Sequence, residues 1–186
     1  MELIKNYTSL KSVRSILIVL LGTLVLTLSA KIQTPLSPVP ATMQTFAVLF
    51  IGMAFGYKLA TATVIIYLIE GAIGIPVFAK GGGLIYFQGP TSGYLLGFLF
   101  GAFVSGYLRI SSDPLITFLK LSFAVSFIYL LGLIWLWVNF NFYSGKDISI
   151  ANVFQIGAKP FIIVEIYKLL ILTVLSNHIY RLRKII

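Results

Sequence analysis

Six long stretches of this chain carry almost no charge, and their length decides what it can fold into. They cover about residues 16–30, 44–57, 59–75, 90–108, 114–138 and 160–180. Against a hydrocarbon core of roughly 30 Å, such runs read as membrane-spanning helices. The second is the shortest, a length that also suits a buried or interfacial helix. Little more than Lys58 separates it from the third, so the two read as a tight helical hairpin. Composition closes off the alternatives. Of the 186 residues 59% are hydrophobic and 10% charged, against a usual charged share of about 25%, and mean hydropathy is +1.00. Fourteen Lys and Arg with five Asp and Glu cannot clothe a water-soluble surface, which argues against a soluble enzyme, a nucleic-acid reader or a disordered tail. The expected fold class is an all-α membrane protein of six transmembrane helices, a single integral membrane domain over residues 1–186.

Turn chemistry punctuates the runs. Pro35, Pro38 and Pro40 exclude a regular helix between spans one and two. Pro76 and Gly81-Gly82-Gly83 interrupt the chain after span three. Pro90, Pro114 and Pro160 stand where a first helical turn tolerates a missing N–H. No internal repeat or low-complexity tract is evident.

The net charge of +9 suggests nucleic acid in a soluble protein, but here the basic residues lie between apolar runs and read as insertion signals. Six spans put both termini on one side, with Lys5, Lys11, Arg14, Lys58, Arg109, Lys120, Arg181, Arg183 and Lys184. The other side receives Lys31, Lys80, Lys146 and Lys159, a split of nine to four. Both termini are therefore expected in the cytoplasm of a multi-pass protein of the cell (inner or plasma) membrane. The N-terminal segment resembles a secretory signal, but Leu28 stands where cleavage after Ala30 wants a small residue, so the first helix is expected to be retained.

This topology gathers three unusual features on the external face. One is the loop from Gln33 to Gln44. The second runs from Gly74 through Pro76 and the three glycines to Gly89-Pro90-Thr91. The third is the outer part of span six, with Glu165 and Lys168. Irregular backbone at membrane depth is tolerated where it lines a cavity or is buried in protein, and the coincidence of three such features favours a pocket over ordinary loop punctuation. Glu165 and Lys168, at i and i+3, share a helix face. An ionisable group at the centre of a spanning helix costs about 2.5–3.5 kcal/mol on insertion scales, and intramembrane charge by default marks a ligand site. The competing explanation is a self-neutralising pair. Glu70, near the outer end of span three, is a further candidate, with the interface or Lys80 as its alternatives.

Gly93, Gly97, Gly101, Ala102 and Gly106 give span four a small face, read as internal packing rather than a subunit contact; Gly52 and Gly56 are a shorter example. His178, the single histidine, reads as a cap or a headgroup contact. Trp135, Trp137 and most of the ten tyrosines read as interfacial belt or bundle filler. There is no Walker A string, no cysteine and no G-x-S-x-G elbow. One histidine without cysteine makes none of the usual zinc sites. No metal, cofactor or enzymatic activity is expected.

Several strings together resemble one family. Val39-Pro40-Ala41-Thr42-Met43-Gln44-Thr45 resembles the P-x-T-x-Q-T segment of the BioY family, the biotin-binding S components of energy-coupling factor (ECF) transporters. Tyr67-Leu68-Ile69-Glu70-Gly71-Ala72-Ile73-Gly74-Ile75-Pro76-Val77-Phe78-Ala79 is similar to its Y-x-x-x-G-x-x-G-x-P-V-F-A stretch. Gly81-Gly82-Gly83 and Gly89-Pro90-Thr91-Ser92-Gly93-Tyr94 with Gly97-Phe98 resemble the family's glycine loop and G-P-T-x-G-Y-x-x-G-F segment. Pro160-Phe161 followed by Glu165 and Lys168 is similar to its P-F-x-x-x-D-x-x-K signature. The chain departs from the pattern at Glu165, where Asp is usual, and at Lys80, an added charge before the glycines. Span one also lacks the alanine ladder with which S components pack on their membrane partner, Gly22, Thr23, Ser29 and Ala30 being a weak substitute.

The resemblance implies a six-helix S-component bundle with an external ligand pocket, capturing biotin for an ECF transporter. Its implied partners are biotin, a membrane scaffold subunit, two ATPase subunits and the lipid bilayer, without nucleic acid. The implied ligand-binding residues are Glu165, Lys168, Thr42, Gln44, Phe78, Gly82, Gln88 and Tyr94, with Glu70 as the further candidate. Glu165 would accept from ureido N–H groups, and Lys168 would offset Glu165 or attract the valerate. Gln44 and Gln88 can each donate and accept. Phe78, Tyr86 and Tyr94 would supply apolar walls. The alternatives are an S component for another small vitamin, or a non-catalytic membrane assembly subunit whose charged pair only fixes helix register.

Overall fold

One glycine folds the second and third apolar runs into a hairpin. The computed structural model describes residues 2–34, 36, 38–108, 111 and 113–185, with side chains between 12 and 183. Its first helix, α1, spans Glu2–Lys31, and α2 spans Gln44–Ala72. Within α2, Gly56 has φ 75° and ψ 164°, a conformation that glycine adopts without a Cβ penalty. Gln44 and Tyr67 would lie about 35 Å apart on a straight helix. Instead the Gln44 amide donates to the Tyr67 hydroxyl at 2.8 Å, so residues 44–55 and 57–72 run antiparallel. The reversal falls two residues before Lys58, where the charge had suggested it.

The other long elements are α3 (Ser92–Tyr107), α4 (Pro114–Val138), the short α5 (Ile150–Gly157) and α6 (Ile162–Ile185). Three helical stretches, Ser12–Lys31, Gln44–Ala72 and Pro114–Tyr143, are long and apolar enough to cross a membrane, and Ser92–Tyr107 is a shorter apolar helix. Because the second of these folds back at Gly56, its two arms and the other four long helices, α1, α3, α4 and α6, make six rods. The boundaries shift from expectation for local reasons. Neither Pro nor Gly interrupts residues 2–15, so α1 begins well before residue 16. Gly74, at φ 99°, and Pro76 end α2 at Ala72 rather than Ile75. Pro160 stands in a 3-10 turn, Lys159–Phe161, and α6 starts just after it. Pro114 occupies the first turn of α4, capped by Asp113, whose Oδ1 accepts from the Leu115 amide at 2.8 Å. The helix α5 was not expected from hydropathy. Ser149 caps it by accepting from the Asn152 amide at 3.3 Å.

Small residues set the helix contacts. A Cβ on Gly93 would meet Trp135, and one on Gly97 the backbone of Ile128 at 2.7 Å, both in α4; Gly52 faces Ser105 of α3. The small face of α3 is thus spent inside the bundle. So is that of α1, where Gly22, Thr23, Ser29 and Ala30 are buried and Gly22 meets Thr63 of α2. The weak substitute for an alanine ladder therefore points inward. The outward face of α1 is branched and aliphatic, with Ile16, Leu17, Leu20, Leu21, Leu24 and Leu28 all exposed. The core runs through Leu26, Val48, Ile51, Met53, Val64, Ile128, Leu136 and Leu172.

Two ends can be told apart. At one, Arg183 of α6 lies against Gly56 at the tip of the hairpin. At the other, the start of α6 meets the start of α2, and a short antiparallel pair, β1 (Gln33–Thr34) with β2 (Ala41–Thr42), connects α1 to α2. Pro35 and Ser37 of that loop, with Arg109, lie outside the described residues, as do the side chains of Lys5, Lys11 and Lys184.

Candidate functional site

The cleft sits at the second of these ends. It holds about 510 Å³ of space between atoms, its open mouth included. One wall comes from the loop before α2 (Val39, Pro40, Ala41, Thr42) with Gln44 and Thr45. The opposite wall is largely aromatic, from Tyr86, Tyr94, Phe98, Tyr129 and Phe161, with Thr91, Leu95 and Ala79 between. Glu165 is the one charged side chain among the lining residues.

Glu165 and Lys168 are 7% and 5% exposed, which in water-free surroundings demands full pairing. Lys168 has it. Its ammonium donates to Glu165 Oε1 at 2.6 Å, to the Thr42 carbonyl at 2.7 Å and to Thr45 Oγ1 at 2.9 Å. An ammonium has three N–H donors, so none remains for a ligand. The Thr45 hydroxyl in turn donates to the same Oε1 at 2.8 Å. Glu165 is left half-used. Its Oε2 is buried with no donor within hydrogen-bond distance, although the Tyr129 hydroxyl interacts with the carboxylate from the facing wall; among the described residues only Thr61 Oγ1 is in the same condition, and Thr61 does not line the cleft. A buried carboxylate oxygen without a donor is costly, and here it belongs to a residue that faces an opening.

A second polar chain fixes the wall beside it. The Thr42 hydroxyl donates to Gln44 Oε1 and accepts from the Gln44 backbone N–H, each at 3.2 Å. Gln44 Nε2 donates to Tyr67, whose hydroxyl donates to the Val77 carbonyl at 3.0 Å. Both ends of the Gln44 amide are therefore committed. From Val77 the chain turns through Phe78, whose ring is fully buried over Gly71, where any side chain would collide with it. Phe78 packs on Tyr67 and on Tyr86, at ring-centroid distances of 5.3 and 4.7 Å. Tyr94 packs edge-on to Tyr129 at 5.9 Å, and its hydroxyl donates to the Gly157 carbonyl at 2.8 Å.

Of the residues singled out from sequence, Thr42, Gln44, Tyr86, Tyr94 and Glu165 line the cleft together. Lys168 stands one layer behind, and Phe78 supports Tyr86 from below. Three fall elsewhere. Gly82 packs on the backbone of Ile75 and Gly71. Gln88 is exposed, and its carbonyl accepts from Asn139 Nδ2 at 2.6 Å. Glu70 accepts from Thr23 Oγ1 of α1 at 3.1 Å, rather than pairing with Lys80. Thr45, Tyr129 and Phe161 line the cleft without having been singled out as site residues. Thr45 directly follows Gln44 in a string already of interest, whereas nothing local distinguishes Tyr129 from the other tyrosines.

Known proteins resemble this chain over most of its length. The family model described as "BioY family" matches residues 4–185. A probable biotin transporter BioY from Pyrococcus horikoshii is 37% identical over 142 residues, covering 75% of this chain and 79% of that protein. The biotin transporter BioY of Thermotoga maritima is 36% identical over 163 residues, covering 86% and 92%. A crystal structure of the S-component for biotin from an ECF-type ABC transporter superposes with a TM-score of 0.79 at 26% identity, covering 94% of this chain and 93% of the other.

Proposed function

The chain belongs to the BioY family, and from that premise we propose that it is the membrane-embedded, biotin-binding S component of an ECF-type uptake system. The Glu165 carboxylate, which lines a cleft with aromatic walls and has one oxygen without a hydrogen-bond donor, carries the site assignment. Biotin's ureido ring offers two N–H donors beside an apolar bicycle. An N–H donated to this carboxylate is a charge-assisted bond in a dry site, and it adds a donor to an oxygen that lacks one. The rings of Tyr86, Tyr94, Tyr129 and Phe161 cover the bicycle. Lys168 is a positioning residue: it neutralises Glu165 and, through Thr45 and the Thr42 carbonyl, aims the free oxygen. Thr42 and Gln44 hold the wall; Phe78 and Gly82 support it.

As such a component the chain is a transport subunit and not an enzyme. Transport would draw on a membrane scaffold and two ATPase subunits. The six rods would span the bilayer with the cleft open to the outside and both termini in the cytoplasm. The charge pattern supports that orientation: Arg14, Lys58, Lys120, Arg181 and Arg183 belong to the end away from the cleft, Lys31, Lys80, Lys146 and Lys159 to the cleft end. The outward leucines of α1 and the lipid are then natural neighbours.

Calorimetric titration of the purified chain with biotin, without nucleotide, tests the assignment. Saturable one-to-one heat is expected; its absence, with binding of another vitamin, would transfer the site to that ligand. The orientation is checked by placing a cysteine at Leu84, 74% exposed at the cleft end, in a chain that has no other. An impermeant thiol reagent should label it from outside cells, and labelling only after the cytoplasmic face is opened would invert the topology.

A further inference from the structure

The cleft can satisfy the donors of a ligand's head, but it offers nothing to an anionic tail. Glu165 is its one charged lining residue, and its free oxygen repels a carboxylate. The three N–H groups of Lys168 are all engaged. A carboxylate must therefore lie toward the mouth, where four lysines come into question. Lys31 is tied to the Pro76 and Phe78 carbonyls at 2.8 and 2.7 Å. Lys146 lies over the Phe140 ring, 5.3 Å from its centroid. Lys80 and Lys159 are exposed and make no contact of this kind among the described residues.

Backbone geometry separates these two. Phe78 and Gly81 exchange N–H···O bonds at 2.9 and 3.3 Å, so Ala79 and Lys80 form the tip of a tight turn. Gly81, at φ 123°, permits that turn. Ala79 at the tip lines the cleft, and its carbonyl accepts from Gln33 Nε2 at 3.1 Å, which ties the tip to β1. Lys80 is the next residue. Lys159 is separated from the nearest lining residue, Phe161, by the exposed Pro160. Neither the Phe78–Gly81 turn nor the Lys31 anchor needs the Lys80 side chain, so nothing in the fold accounts for a charge there.

Resting on the biotin reading above, we propose that the Lys80 ammonium is the partner of the ligand's carboxylate, making this subunit selective for the free acid over neutral-tailed analogues. The ligand would then span the cleft from a negative floor at Glu165 to a positive rim at Lys80. A half-exposed ion pair of this kind ranks between a surface pair and a buried charge-assisted bond.

The test is a pair of titrations, with biotin and with biotinamide, on the wild-type chain, Lys80→Met and Lys159→Met at low ionic strength. Wild type should bind biotin roughly threefold to tenfold more tightly than biotinamide, a preference that added salt reduces. Lys80→Met should erase the preference by weakening biotin alone, and Lys80→Glu should reverse it. Lys159→Met should keep it. A preference that survives in Lys80→Met, is lost in Lys159→Met, or is missing from wild type would overturn the Lys80 assignment while leaving biotin binding in place. Failure of wild type to bind either compound would remove the biotin reading and this proposal together.

Discussion

Two openings in this bundle invite comparison, and the larger is the less informative. Between α4 and α5 a crevice of about 650 Å³ is lined by Leu130, Leu133, Ile134, Trp137, Ile150, Val153 and Phe154, without one charged side chain. The cleft at the start of α6 is smaller, at about 510 Å³, yet brings together a carboxylate, a glutamine, three threonines and three tyrosines. In a soluble protein the apolar crevice would attract attention; in a bilayer, acyl chains fill such surfaces without specificity. Apolar volume is thus a poor guide to function here. What distinguishes the cleft is polar groups held at fixed places, one of them unsatisfied.

The largest effect that would sharpen this contrast concerns stability. Lys168→Ala leaves Glu165 charged, buried and short of its main partner, a change that typically costs about 3–5 kcal/mol. Thermal unfolding in detergent should show a marked loss, and an unchanged midpoint would mean that the carboxylate is not held as an ion in the folded state. At the other extreme, Phe154→Ala enlarges the apolar crevice. Because the crevice shares no lining residue with the cleft, biotin affinity should stay within roughly twofold of wild type. A tenfold loss would show the two openings to be coupled and the comparison misplaced.

The same contrast explains what the sequence could disclose. Run length and turn residues were enough to foresee the long helices and the hairpin, though not the short α5, because those signals are local. Gly56 moved the reversal by two residues because a positive φ, not the nearest charge, decides where a helix can double back. Glu165 and Lys168 stood out because charge in an apolar run is rare. Their use was not legible. Thr45 meets Glu165 across 120 positions of chain, and only the fold shows that one hydroxyl and one carbonyl exhaust the remaining donors of Lys168. Tyr129 was hidden for the same reason, a tyrosine among ten until the packing of α4 turned it toward the cleft. Gln88 and Glu70 differ in the opposite sense: polar residues near the cleft end that do not line the cleft and whose partners are Asn139 and Thr23.

The central claim is that the buried pair serves recognition, with Glu165 binding and Lys168 positioning, rather than fixing helix register. Replacing both at once, Glu165→Gln with Lys168→Met, removes the charge that either single change would strand. Biotin titration of that double variant, once its unfolding midpoint shows a well-folded chain, is the decisive measurement. Loss of a charged acceptor worth about 1.5–3 kcal/mol should weaken binding roughly tenfold to a hundredfold. Near-native affinity in the folded double variant would contradict the account and leave the pair a purely structural device.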